Sequence, residues 1–257
     1  MINSRVNKCN AVIVGLFILC LMALGPARAF ADYFVELPRD LEIGLALSAL
    51  PEALQSEATI YVRDPEKGFI RHRKGTNGFT TFVARTSIRF YEADWKYTYP
   101  SDILIPIAFD QVGFEHHIIP YFAVEHMRIN GVAPEKAKQT LRQRFSDGTY
   151  KAPKKGGMSY MYSPIHRAYM EPAKSNIIMT VSFPHHMPYA PNIIAKDMGA
   201  MDPHGRAGIL DHGGKDSGPH GYFYFMVAPD QAETLRIKYA DMLKRLCDVH
   251  ANWCLPK

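Results

Sequence analysis

Cysteine is scarce in this chain. Four occur in 257 residues, and two of them, Cys9 and Cys20, lie within the first 31. No C-x-x-C pair, H-E-x-x-H segment or EF-hand loop is present, which removes the metal signatures of fixed spacing. G-x-S-x-G is also missing, and no phosphate-cradling glycine loop precedes a helix. Internal repeats and low-complexity linkers are lacking, and no apolar run after residue 25 is long enough to cross a membrane. Net charge is small as well. The chain carries +5, of which Arg5, Lys8 and Arg28 supply three with no acid in the first 31 residues to offset them. The +2 left on residues 32–257 is too small a surplus for a nucleic-acid surface.

The first 31 residues have the order of a secretory signal. Arg5 and Lys8 form a positive start, residues 11–25 are apolar and uncharged, and small residues alternate in Ala27-Arg28-Ala29 and Ala29-Phe30-Ala31. Cleavage is expected after Ala31, with Ala29 as the alternative, so that Asp32 lies at the polar mature terminus. The apolar stretch, roughly 15 residues, falls short of the ~20 that span a hydrocarbon core. A lipoprotein reading fails because Leu19, before Cys20, is not small. The expectation is an exported protein, periplasmic or extracellular, with one globular domain over residues 32–257. In an oxidising compartment Cys247 and Cys254 would close a disulfide that pins the tail to the last helix.

Patterning predicts an α+β domain: an antiparallel β-meander or sheet packed by several helices, with a C-terminal helix. Asp40 is positioned to cap a helix through Leu41, Leu45 and Ser48, and a short turn starts at Pro51-Glu52. Residues 59–62 and 69–73 read as strands around a turn at 64–68. Asn77-Gly78 between β-type runs predicts a further hairpin. Helices are expected over 118–129 and from Pro134, where Ala137, Leu141 and Phe145 repeat at helical spacing. The basic face of the latter, with Lys136, Lys138, Arg142 and Arg144, reads as solvated surface. Strands return at 158–162, 177–183 and 222–227. A last helix opens at Asp230, with Glu233 completing a capping box, and runs to about Cys247 with Leu235, Tyr239, Met242, Leu243 and Leu246 as its buried stripe.

Chemistry concentrates between residues 184 and 220. All eleven histidines fall after residue 31, and His185, His186, His204, Asp211, His212 and His220 lie in this proline- and glycine-rich stretch. Imidazoles and carboxylates are ligands for zinc, copper, nickel or iron, and glycine lets scattered ligands converge. Adjacent histidines on an extended chain point to opposite faces, so at most one of His185 and His186 joins a given site. Met158, Met161, Met170, Met179, Met187, Met198 and Met201 surround the segment, and thioether with imidazole favours copper. Against this, Met158 and Met161 fit a strand whose methionines fill a core. Glu115-His116-His117 and Glu125-His126 flank one helix and read as a solvated face, with an acid/base pair of carboxylate and imidazole as the lesser alternative. Arg71, His72, Arg73 and Lys74 read as exposed charge.

Several of these segments recur in order elsewhere. Residues 46–51, Gly75-Thr76-Asn77-Gly78-Phe79-Thr80, Pro184-His185-His186-Met187 with Tyr189-Ala190-Pro191, and Gly218-Pro219-His220 resemble a group of exported bacterial proteins. The resemblance covers most of residues 32–257 and implies a single exported domain. It directs attention to His185 and His220 and implies no activity. The group carries a cysteine where this chain has Thr81. The expected function is binding of a small ligand or of a transition metal such as zinc or copper through residues 184–220, with Tyr189 shaping the pocket. A metal- or histidine-dependent hydrolase is the alternative enzyme reading, and a structural or interaction protein without a ligand site is the third.

Overall fold

Strand pairing organises the chain. A computed structural model describes residues 34–87, 98–169, 177–191, 207–210 and 220–256. The expected signal segment therefore lies outside the described residues, as do His204, Asp211 and His212. The described chain opens with helices α1 (Arg39–Ser48) and α2 (Glu52–Gln55), which follow Pro38 and Pro51. Asp40 does not cap α1. It sits inside the first turn, where a carboxylate suits the positive helix end, and pairs with Arg245.

Strands β1 (Thr59–Asp64) and β2 (Gly68–Arg73) form the expected hairpin. The Asp64 carboxylate accepts from the Glu66 and Lys67 amides across its turn. The hairpin expected at Asn77-Gly78 does not form. Strand β3 (Thr80–Ala84) instead runs parallel to β1, on the side away from β2. The glycine-rich segment between them is clamped across the start of β1. Thr76 and Asn77 amides donate to the Glu57 carbonyl, and the Asn77 side chain donates to Leu54 at 2.7 Å. With its polar groups spent on residues 54–59, the segment acts as a crossover. An added Cβ at Gly75 would overlap the Glu57 carbonyl, whereas Gly78 lies in open space with φ +79°.

Next come β4 (Ile105–Phe109), α3 (Gln111–His116), α4 (Ile119–Ile129) and α5 (Pro134–Ser146). Strands β5 (Met158–Met161), β6 (His166–Tyr169), β7 (Ile178–Val181), β8 (His185–Pro188), β9 (Ala207–Leu210) and β10 (Tyr222–Met226) follow. One sheet has the order β2-β1-β3-β4-β5-β8-β10-β9, and β6 and β7 pair separately. Apart from β1–β3, every pair is antiparallel. The single C-terminal helix expected is two, α6 (Pro229–Lys238) and α7 (Ala240–Val249), joined at Tyr239, and no side chain caps α6.

Alternation along the strands gives the sheet two packed faces. Phe82, Ile105, Ile107 and Phe109 meet Tyr121 and Val124 of α4 and Ala137 and Leu141 of α5. Val83 and Leu104 meet Leu41, Leu45 and Ala46 of α1, Leu246 of α7, and Trp253. Thr81 is fully buried, and its hydroxyl satisfies the carbonyls of Ala46 and Ile107. Lys138, expected on a solvated face, is buried within 3.9 Å of Glu135.

Charge is also buried near the start of the described chain. The guanidinium groups of Arg63 and Arg128 lie 3.5 and 3.6 Å from the Phe34 ring centroid, and Arg63 pairs with buried Glu125 at 2.6 Å. Such cation–π contacts contribute about 2 kcal/mol each when shielded from water. At the other terminus Cys247 and Cys254 form the expected disulfide, with Cα atoms 4.4 Å apart. Trp253 then donates its indole N–H to the Asp102 carbonyl at 2.7 Å, which docks the tail. Among the described residues no helix is long and apolar enough to cross a membrane.

The two glycines of the crossover should respond differently. Gly75→Ala forces backbone apart and is expected to cost about 2–3 kcal/mol. Gly78→Ala meets only the left-handed backbone penalty, about 1 kcal/mol. Urea denaturation of both variants measures this, and equal losses would contradict the clamp.

Candidate functional site

Strand β8 places the histidines. All four of its residues pair with β5, and His185 and His186 also pair with β10, so alternate side chains face opposite sides of the sheet. His185 and Met187 point to the face packed by α3, α4 and α5, as does Tyr189 just beyond, and all three are buried. His186 points the other way, where it stacks on Phe225 and lies near Tyr160 and Tyr162. The two adjacent histidines therefore belong to different sites, as an extended chain requires.

His220 is not beside His185. It precedes β10, and the Tyr189–Tyr222 bridge brings it to the opposite end of β8. Four residues of strand, about 13 Å, separate Tyr189 from His185. At that end His220 donates from Nε2 to the Tyr150 carbonyl at 3.1 Å, and burial lowers its pKa. The ring of His117 lies 4.2 Å from Tyr189, 4.7 Å from Tyr222 and 5.9 Å from His220. A 2.8 Å hydrogen bond joins His117 Nδ1 to the Tyr222 hydroxyl.

Tyr189 donates to the Met158 carbonyl at 3.0 Å. Burial first, and the Asp110 carboxylate second, push its phenol well above the ordinary range. Asp110 caps α3 through the Gly113 amide and also accepts from the Met158 amide at 2.9 Å. A Cβ at Gly113 or Gly157 would run into Tyr189. This end is thus a packed, hydrogen-bonded polar core. The acid/base pairs weighed as the lesser alternative do not form, since Glu125 goes to Arg63 and Glu115 to Gln111.

The other end of β8 is different. His185 stacks on Phe183 and donates from Nδ1 to the Phe183 carbonyl at 2.8 Å. That hydrogen bond puts the lone pair on Nε2. His166, on β6, lies with its ring centroid 6.0 Å from that of His185 and is only 1% exposed. Neither of its ring nitrogens has a partner in hydrogen-bonding geometry. The Pro106 carbonyl bears on the ring and favours a proton there, but lies outside that geometry. A buried polar atom left without a partner costs about 1–3 kcal/mol, so this ring needs an explanation.

Strand register adds two further side chains. Met161 of β5 and Met226 of β10 are the direct antiparallel partners of His185. Directly opposed residues share a face, so Met161, His185 and Met226 form a row across three strands. Met187 and Tyr224 continue that face one pleat along. Among the described residues no three of His, Cys, Asp and Glu gather as a metal site would require. Sequence reasoning singled out His185 and weighed Met161, but missed His166 and Met226. Neither shows a spacing signal, because each reaches the row only through strand pairing.

Burial pushes His185 down to about 4, and burial with His185 as neighbour holds His166 well below the ordinary imidazole value. Both stay neutral in the folded chain, whereas the unfolded chain takes up these protons below about pH 6.5. Between pH 6.5 and about 4 the unfolded state binds more protons. Stability of the metal-free protein is therefore complete above pH 6.5 and falls as pH drops, by about 1.4 kcal/mol per pH unit for each such imidazole. Urea unfolding in chelator from pH 7 to pH 5 measures the slope. His185→Gln is expected to reduce it by one proton, and an unchanged slope would contradict the assignment.

Compared with protein-family models, with curated proteins and with solved structures, the chain matches none.

Proposed function

We propose that this protein binds a transition-metal ion between His166 and His185, in a compartment outside the cytoplasm. The observation that carries the reading is His166. Its imidazole is almost fully buried with both nitrogens lacking a hydrogen-bond partner, and it faces a second imidazole whose free lone pair is set by the Phe183 carbonyl. His166 is the residue among the described ones with both ring nitrogens in this state, and a metal ion is what two neighbouring neutral imidazoles accept. Two rings bound to one ion at ~2.0 Å have centroids about 5–6 Å apart, depending on the angle between them. The observed 6.0 Å suits a wide angle.

A hydrogen bond from a histidine's second nitrogen to a carbonyl is the usual way a protein orients a ligating ring. Burial supports the same reading, since only neutral imidazole binds metal and both rings are kept neutral at pH 7. Export belongs to it as well. The signal-like order of residues 1–31 and the Cys247–Cys254 disulfide both accord with an oxidising compartment.

Elemental analysis of untagged protein tests the proposal. About one ion per chain is expected after dialysis against zinc or copper. His185→Ala and His166→Gln should lose it, while His220→Ala and His186→Ala should keep it. Wild-type protein that takes up neither metal at neutral pH, or His185→Ala protein that retains it, would overturn the reading.

A further inference from the structure

We infer that the ion is monovalent copper, held by the imidazoles of His166 and His185 together with the thioethers of Met161 and Met226. The inference rests on the metal-binding reading above and adds the identity of the ion. Its independent support is the strand register. Met161 and Met226 flank His185 from β5 and β10 on the same face of the sheet. Opposed residues in such pairs have Cβ atoms about 4.5–5.5 Å apart. A methionine sulfur stands two bonds beyond its Cβ, so the register puts the space over the His185 ring within reach of both sulfurs. Met161 is partly buried and packs against the cluster that contains Met187, in keeping with that direction.

The donor set selects the ion in two ways. Thioether is a soft ligand and a poor one for zinc, magnesium or calcium, whereas two thioethers with two imidazoles suit cuprous copper. Charge points the same way. The four donors are all neutral, and among the described residues no group of three His, Cys, Asp or Glu side chains gathers to balance a divalent ion. The cost of desolvating an ion rises with the square of its charge, so a dry site with no anionic ligand favours a singly charged one.

The test is competition for cuprous copper against a chromophoric chelator under anaerobic conditions, beside zinc titration, on full-length untagged protein. The key variant is Met161→Leu/Met226→Leu, a volume-conserving change expected to leave the fold intact, with circular dichroism as the check. Met179→Leu, at a side chain 46% exposed on β7, serves as control. One cuprous ion per wild-type chain is expected. The double methionine variant should bind it at least 100-fold more weakly with zinc affinity unchanged, and the control should match wild type. X-ray absorption of the loaded protein should show sulfur as well as nitrogen around copper, with the sulfur lost in the double variant. Undiminished cuprous binding in that variant, or zinc bound more tightly than cuprous copper by wild type, would overturn the copper assignment and leave the histidine site standing. Loss of neither metal in His185→Ala would remove both.

Discussion

Four residues, His185 to Pro188, join the C-terminal strands to the rest of the sheet. β8 pairs with β5 on one side and β10 on the other, so its register decides which side chains become neighbours across three strands. Side chains alternate with a period of two, and a one-residue slip would exchange the buried His185 for the half-exposed His186. Several contacts oppose that slip. Tyr189 is held between His117 and Tyr222, with its hydroxyl on the Met158 carbonyl and two glycines clearing room for its ring. The polar core at one end of β8 therefore fixes the register at the other.

That arrangement separates two uses of histidine within one sheet face. At the Tyr189 end, His117 and His220 are held by hydrogen bonds, and the aromatic rings around them close the core. At the His185 end, the imidazole nitrogens of His166 lack partners and two thioethers stand across the strands. Residues that share a composition thus differ in what their surroundings leave available. Hydrogen-bonded imidazole contributes to stability, while imidazole left with a lone pair in a dry pocket costs stability until an ion occupies it. The low exposure of both His166 and His185 makes that cost large enough to matter.

Much of the fold was legible because local signals agreed with tertiary ones. The β1–β2 hairpin, α4, α5 and the disulfide all lie where turn chemistry, helical spacing and cysteine separation put them. The misses have physical causes. Asn77-Gly78 carries a hairpin signal, yet its polar groups bind residues 54–59, and the chain crosses to the far side of β1. β4 escaped notice because Pro106 stands inside it, and proline argues against a central strand. At the site, the opposite facing of His185 and His186 follows from strand geometry alone. The partnership of His166, Met161 and Met226 does not, since these residues are 65 positions apart at the extremes and meet only through pairing that no periodicity reveals.

An ion between His166 and His185 would be located by anomalous diffraction from crystals of copper-loaded protein. The prediction is a single strong anomalous peak within about 2.2 Å of a ring nitrogen of each histidine. A peak at the His117–His220 end of β8, or no peak in fully loaded crystals, would contradict it.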